Sequence, residues 1–290
     1  MNPLITLYIS LIILFAFCLY EDYRNPNFLR LDISFKEKID CLVVPLIVTI
    51  SIFFAIAIVV SLVIDEPDIA WFCVTAIFVL FCIACQIEEN KKQNVRRKML
   101  ASWAKFHSWT YDPNYHQHLA WRSQYKANCD YLDFFKRFQQ GSNRYAFDLF
   151  RGIWHRYPAD AFTFHYERKH DKSTSHYYFG VVLIYIEESF PRLTIKRRGL
   201  LGSRGISFES VTFNEEFVVR CQDRKFAYDF CHPKAMEYLL AKGGGIDIEL
   251  KDSILAIFID EKELNIEDVE ESLNRLIELR KLMPNYLYRS

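Results

Sequence analysis

His176-Tyr177-Tyr178-Phe179-Gly180-Val181-Val182-Leu183-Ile184-Tyr185-Ile186 is the stretch on which the fold turns. Aromatic and β-branched side chains fill it, and these suit a pleated surface better than a helix. Its apolarity is continuous, so both faces of the element are covered and it reads as a central strand. Upstream the pattern alternates. Phe147, Leu149, Arg151 and Ile153 lead to a turn-like cluster at Tyr157-Pro158-Ala159-Asp160, followed by Phe162, Phe164 and Tyr166 between polar neighbours, which predicts a β-hairpin. Downstream, residues 193–196 predict a further short strand after Pro191, and residues 199–205 a glycine-rich connector. Residues 217–221 predict another strand, and His232-Pro233-Lys234 opens a helix that stops at Gly243-Gly244-Gly245. Residues 246–250 and 254–259 predict a hairpin turning at Lys251-Asp252-Ser253. Ile266, Val269, Leu273, Leu276, Ile277 and Leu282 then line one face of an amphipathic helix that ends at Pro284. Helices and strands are segregated, so residues 110–290 read as an α+β domain with a mainly antiparallel sheet.

The N-terminal part has a different character. Residues 4–20, 41–64 and 69–87 carry no charged side chain. A 17-residue helix at about 1.5 Å per residue reaches roughly 26 Å, near the short limit for a span, and the other two runs are longer. The first run lacks a basic flank and a small-residue cleavage site, so it reads as retained and not as a signal peptide. Arg24, Arg30, Lys36 and Lys38 occupy the first connection, whereas Asp65-Glu66-Pro67-Asp68 holds no base. By the positive-inside rule this predicts a three-helix transmembrane region at 1–87, N-terminus outside, with the C-terminal domain cytoplasmic in a bacterial inner membrane. None of the three runs contains Asp, Glu, Lys, Arg or His, which argues against a self-contained transporter. Residues 88–109 predict a basic juxtamembrane helix with Val95, Met99, Trp103 and Phe106 at helical spacing.

Formal charge is zero, with 36 basic and 36 acidic residues, yet the charges are unevenly placed. Residues 88–240 hold a surplus of eight basic side chains, and residues 241–290 a surplus of four acidic ones. The eight cysteines form no disulfide framework, since most lie in the apolar runs and only Cys129, Cys221 and Cys231 fall beyond them. Cys82 and Cys85 have redox-motif spacing but sit inside an apolar run with no flanking strand, which fits small residues at a helix contact.

Candidate chemistry is sparse. His116 and His118 share one polar segment, while His165, His170 and His176 fall around one strand–loop–strand connection. The spacing supplies no obvious further ligand, so no metal or other cofactor is expected. Cys221 and Cys231 lack a histidine–carboxylate arrangement, and His232 reads as a residue of the following helix's N-terminus. Gly202-Ser203-Arg204-Gly205 is not a nucleophile elbow, and no phosphate-binding loop is present. The basic groups placed best for anions or lipid head groups are Lys91, Lys92, Arg96, Arg97 and Lys98 after the third apolar run, and Arg197, Arg198 and Arg204 around the glycine-rich connector. Near-zero charge without a recognition motif argues against nucleic acid.

Three groups of residues carry a resemblance. They are Trp109-Thr110-Tyr111 with Pro113; Gly152 with Phe162, Phe164 and Tyr166; and Glu209, Phe213-Asn214, Phe217, Val219, Ala227-Tyr228, His232-Pro233, Met236-Glu237 and Leu239-Leu240. Over roughly residues 103–288 the chain resembles a group of uncharacterised bacterial membrane proteins that join a short N-terminal anchor to a cytosolic domain of unknown function. The resemblance implies an inner-membrane protein and brings no catalytic residues. The function expected from these readings is a membrane-anchored cytosolic module that binds a protein partner or anionic lipid. The alternatives are a membrane-tethered hydrolase or other enzyme with an unconventional histidine-containing site in the region of His165 to His176, or a subunit of a larger membrane complex.

Overall fold

The computed structural model describes residues 67–118, 134–170, 173–199, 204–242, 246–260 and 262–288. Compactness divides the chain into two units, one ending at Lys98 and the other starting at Met99. Helix α1 (Pro67–Phe106) comes first, and a short strand β1 (Thr110–Asp112) follows it. Three long strands come next: β2 (Ser142–Trp154), β3 (Tyr157–His170) and β4 (Ser173–Arg197). Helix α2 (Val211–Glu216), strand β5 (Phe217–Cys221) and helices α3 (Arg224–Phe230) and α4 (Pro233–Lys242) lead to strand β6 (Ile246–Asp260) and helix α5 (Ile266–Leu282).

The helix starts are set by local chemistry. The Ser210, Asp223 and Asn265 side chains accept hydrogen bonds from the backbone N–H of Phe213, Phe226 and Asp268, which satisfies a donor at the N-termini of α2, α3 and α5. Helix α5 also places Glu267 and Asp268 in its first turn and Arg280 and Lys281 in its last, the arrangement that its dipole favours.

No helix among the described residues is long and apolar enough to cross a membrane. This overturns the expected three-helix transmembrane region and, with it, the multi-pass inner-membrane localisation and topology. The apolar run at 69–87 is not a span bounded by two loops. It is the first part of a 40-residue helix that continues without a break through Glu88, Glu89, Lys91, Lys92 and Arg96 to Phe106. The runs at 4–20 and 41–64 lie outside the described residues. What the structure displays is an antiparallel sheet with a few helices.

The sheet has six strands, all neighbours antiparallel, and β4 is its spine. Along one edge β4 pairs first with β3 and then with β5; along the other it pairs with β6 for most of its length. Three sequence expectations are corrected here. The β2–β3 turn is His155-Arg156, with Trp154 opposite Tyr157 and His155 in the left-handed region (φ 52°), so Tyr157-Pro158-Ala159-Asp160 begins a strand. The short strand expected at 193–196 is the end of the 25-residue β4. Lys251-Asp252-Ser253 is not a hairpin turn either, because β6 runs straight through it.

The last two corrections have one cause. Pairing of β4 with β6 is irregular between Tyr185, Phe190 and Leu193, and Asp252 faces Phe190 in the left-handed region (φ 50°). An inserted residue inverts which side chains point to which face. On the helix-covered face lie Val182, Ile184 and Ile186 before the irregularity but Leu193 and Ile195 after it; on β6, Ile248 and Leu250 share that face with Leu255 and Ile257. These residues pack against Val269, Leu273, Leu276 and Ile277 of α5 and against Phe226, Phe230 and Leu239. The opposite face carries Phe162, Phe164, Phe179, Val181, Leu183 and Phe258 beneath a roof of Phe134, Phe135 and Phe138. Two glycines permit close approaches. A Cβ at Gly152 would sit 2.1 Å from the Trp109 ring, and one at Gly180 would sit 2.4 Å from a Leu264 methyl.

Candidate functional site

The aromatic roof ends at a single 3-10 turn, Lys136–Gln139, in which Phe138 is fully buried. Beyond it the same sheet face becomes polar. Arg192, Thr194 and Lys196 alternate along the last part of β4, Arg220 projects from β5, and Asp247 and Glu249 come from β6. Arg192, Thr194, Lys196, Arg220 and Glu249, together with Lys136, Arg137 and Gln140, surround a groove of about 620 Å³ that also touches Cys221 and Gln222. Five cationic side chains line it against one carboxylate, Glu249.

The acidic groups here serve to hold cations in place. Arg192 binds Glu249 through Nε and Nη2 (2.7 and 2.6 Å), a two-pronged pairing that fixes the guanidinium plane. Arg137 reaches Asp247 (2.5 Å) and Asp260 while lying over the rings of Phe179 and Phe258 (5.0 and 5.2 Å), so it marks the boundary between roofed and open face. Lys196 lies 3.1 Å from Asp247 and is partly open to solvent. Burial pushes the Glu249 carboxyl above its ordinary value, against the pull of Arg192, Lys196 and Lys251. The cations are therefore preorganised, with donor capacity toward the groove.

A second cluster sits on the helix-covered face at the other end of β4. His165 on β3 stands opposite Tyr178 on β4 and Tyr145 on β2, and Glu167 stands opposite His176 two pairs further along, on the same face. His165 Nε2 lies 3.1 Å from His176 Nδ1, and His176 Nδ1 lies 3.5 Å from Glu167 Oε1. His165 is only 1% exposed, whereas the His176 side chain is 45% exposed. Tyr145 stacks on the His165 ring at 4.3 Å, and Tyr115 meets Tyr145 edge-on at 5.0 Å. Burial lowers the His165 pKa, with a hydrogen bond to the Asn143 carbonyl opposing it, and burial raises that of Tyr145.

The residues singled out in the sequence disperse. Lys91, Lys92, Arg96, Arg97 and Lys98 lie on α1 in the first unit. Arg197 is the last residue of β4 and is exposed. Arg198 donates from Nε to the Asn214 carbonyl (2.7 Å), anchoring α2, and the Arg204 carbonyl accepts from Arg220 Nε. His116 turns toward Asp112 (3.1 Å), His170 ends β3 opposite Ser173, and the His232 ring meets the Leu282 carbonyl at 2.7 Å. Among the histidines singled out, His165 and His176 come together. Cys231 is buried and its thiol is pushed far up by burial; burial also raises Cys221, so neither is a ready thiolate. The groove residues were missed. Their signal was present in the period-two spacing of Arg192, Thr194 and Lys196, but only the strand pairing shows which other side chains share their face.

No protein-family model matches the chain, and no curated protein does either. Among solved structures, the crystal structure of the mycobacterial trehalose monomycolate transport factor A is similar with a TM-score of 0.44 and 12% identity, covering 64% of this chain and 95% of that one. A likeness that slight carries no argument about function.

Proposed function

We propose that the chain is a binding module whose basic groove takes a small anionic ligand bearing phosphate or carboxylate groups. The observation that carries this reading is the open half of the sheet face, where Arg192, Lys196, Arg220, Lys136 and Arg137 surround about 620 Å³ of space. That volume falls within the range typical of small-molecule sites. A rigid sheet floor supplies the precision that such recognition needs, since strands hold side chains more firmly than loops do. Planar guanidinium groups match the oxygens of phosphate and carboxylate, and the Arg192–Glu249 pairing removes much of the entropy cost of orienting one of them.

Calorimetric titration of the full chain with inorganic pyrophosphate tests the reading, with acetate as a second probe and a salt series to expose electrostatic binding. The expected result is saturable binding that weakens roughly tenfold or more in the Lys196→Ala, Arg220→Ala double variant, each charge contact contributing about 1 kcal/mol or more. Both side chains are at least partly exposed, so the variant keeps its fold. Equal binding by the variant and the parent chain overturns the assignment.

A further inference from the structure

We propose that His165, Glu167 and His176 form a binding site for one divalent transition-metal ion of the zinc class. The site lies on the opposite sheet face from the basic groove and does not depend on it.

Donor geometry is the first argument. One ligand atom from each of the three residues falls within 4.8 Å of the others. Zinc–nitrogen and zinc–oxygen bonds of about 2.0–2.2 Å in a tetrahedron place neighbouring donors roughly 3.3–3.5 Å apart. The two closest pairs here, at 3.1 and 3.5 Å, already bracket that edge. Closing the third edge needs only a side-chain adjustment of Glu167 or the partly exposed His176.

The surroundings are the second argument, because they orient the donors. His165 Nδ1 lies 3.2 Å from the Asn143 carbonyl, which can only accept, so Nδ1 carries the proton and Nε2 presents its lone pair toward His176 and Glu167. The Asn143 side-chain amide donates to Glu167 Oε1 at 2.7 Å. One residue thus fixes a histidine tautomer through its backbone and a carboxylate through its side chain. It does so from the left-handed region (φ 46°), next to the register shift between Ser142 and Tyr145. Hydrogen bonds of this kind to ligating histidines and carboxylates are the recurrent outer layer of metal sites. The Tyr145 ring against one face of His165 restricts its rotation further.

Charge and access are the third argument. His165 is buried while His176 opens to solvent, so an ion can enter from the His176 side and keep water in its remaining position. Two neutral imidazoles and one carboxylate give a site of single negative charge, suited to a divalent cation. Nitrogen donors favour zinc, copper, nickel or cobalt over magnesium or calcium. Binding shifts the His176 proton from Nδ1 to Nε2, and no proton need leave His165.

Titration of the chelator-stripped full chain with Co²⁺ and Zn²⁺ decides the matter. The expected outcome is one ion per chain at this site, with the visible absorption of four-coordinate cobalt and no intense sulfur charge-transfer band. Glu167→Gln and His176→Ala should each weaken the ion by about a hundredfold or more. Asn143→Ala should weaken it about 10–100-fold through lost orientation alone. Glu167→Gln preserves side-chain shape, and unchanged far-UV circular dichroism confirms that its loss is one of coordination. Uptake that persists at full affinity in Glu167→Gln and His176→Ala, or no stoichiometric uptake by the parent chain, overturns the proposal.

Discussion

The two halves of β4 present the same sheet face to entirely different environments. Up to Tyr185 the face bears Tyr177, Phe179, Val181, Leu183 and Tyr185, and the Phe134–Phe135–Phe138 roof closes over it. From Arg192 onward it bears Arg192, Thr194 and Lys196, and no roof residue joins them. The other face is apolar on both sides of the switch, with Val182, Ile184 and Ile186 before it and Leu193 and Ile195 after it, because the irregularity around Phe190 shifts the alternation in step. The irregular stretch between Tyr185 and Leu193 therefore lets one strand serve as core on both sides in one half and as a groove floor in the other. The difference lies in what covers the face and not in the strand itself.

The largest expected effect comes from removing the roof. Phe138 contacts the rings of Phe162, Phe164, Phe179 and Phe258 and has no exposed surface. Phe138→Ala should cost about 3–5 kcal/mol in denaturant unfolding, the range for large aromatic truncations in a packed core. A loss below about 1 kcal/mol would mean that the roof does not seal the aromatic half, and the contrast between the halves would collapse.

Next in size is the Arg192–Glu249 pair on the open half. Arg192→Met strands a carboxylate that is 5% exposed, and stranding a buried charge costs about 3 kcal/mol at most here, since Arg192 itself is partly open to solvent. The pH dependence gives the sharper reading. Glu249 already has a folded-state pKa above its ordinary value, so between the two values the folded chain holds the proton more tightly than the unfolded chain. That contribution to stability is present at low pH and is lost as pH rises through the folded value. Removing Arg192 raises the folded value further. The destabilisation of Arg192→Met should accordingly be greatest near neutral pH and shrink as the pH is lowered toward 5, and Glu249→Gln on the same background should recover much of it. A penalty independent of pH would show that the carboxyl is not what Arg192 supports.

Much of this contrast was hidden in the sequence for one physical reason. The continuous apolar run 176–186 announces a strand covered on both faces, and such a strand was found. The signals of the irregularity, Pro191 on β4 and Lys251-Asp252-Ser253 on β6, are also the signals of strand ends and turns. Each alone reads as a break. Only their position opposite one another, Phe190 facing Asp252, makes them a paired irregularity within continuous strands. The same limit applies to the sites. His165 and His176 are visibly close in sequence and Glu167 lies two residues beyond His165 on the same strand, but Asn143 joins them only through the β2–β3 register. Lys136 and Arg220 are 84 positions apart and meet only in the groove. The apolar run at 69–87 is a different case: the helical spacing of Val95, Met99, Trp103 and Phe106 made its continuation legible, and the helix does run to Phe106.

Arg137 sits on the line between the halves, and its replacement tests whether that line is electrostatic or apolar. Its guanidinium lies over the rings of Phe179 and Phe258 while pairing with Asp247 and Asp260. Arg137→Met keeps most of the cover and removes the charge. Arg137→Ala removes both. The alanine variant should lose about 2 kcal/mol and the methionine variant about 1 kcal/mol, as a long side chain protects apolar surface with its stem as well as its head. Equal losses would assign the boundary to charge alone.

The smallest effect is expected at Lys196, and its smallness is informative. The ammonium group is 3.1 Å from Asp247, but the side chain is 42% exposed and water screens the pair. Lys196→Ala should therefore change stability by no more than about 0.5–1 kcal/mol, and that cost should fade in about 1 M salt, where charges screen within roughly 3 Å. Asp247 retains Arg137 as a partner, so the substitution strands no buried charge. Such a small cost is what the proposed anion-binding role of Lys196 predicts. Were Lys196→Ala instead to cost as much as the loss of Arg192, the groove charges would be structural, and the open half of β4 would differ from the roofed half only in the chemistry of its packing.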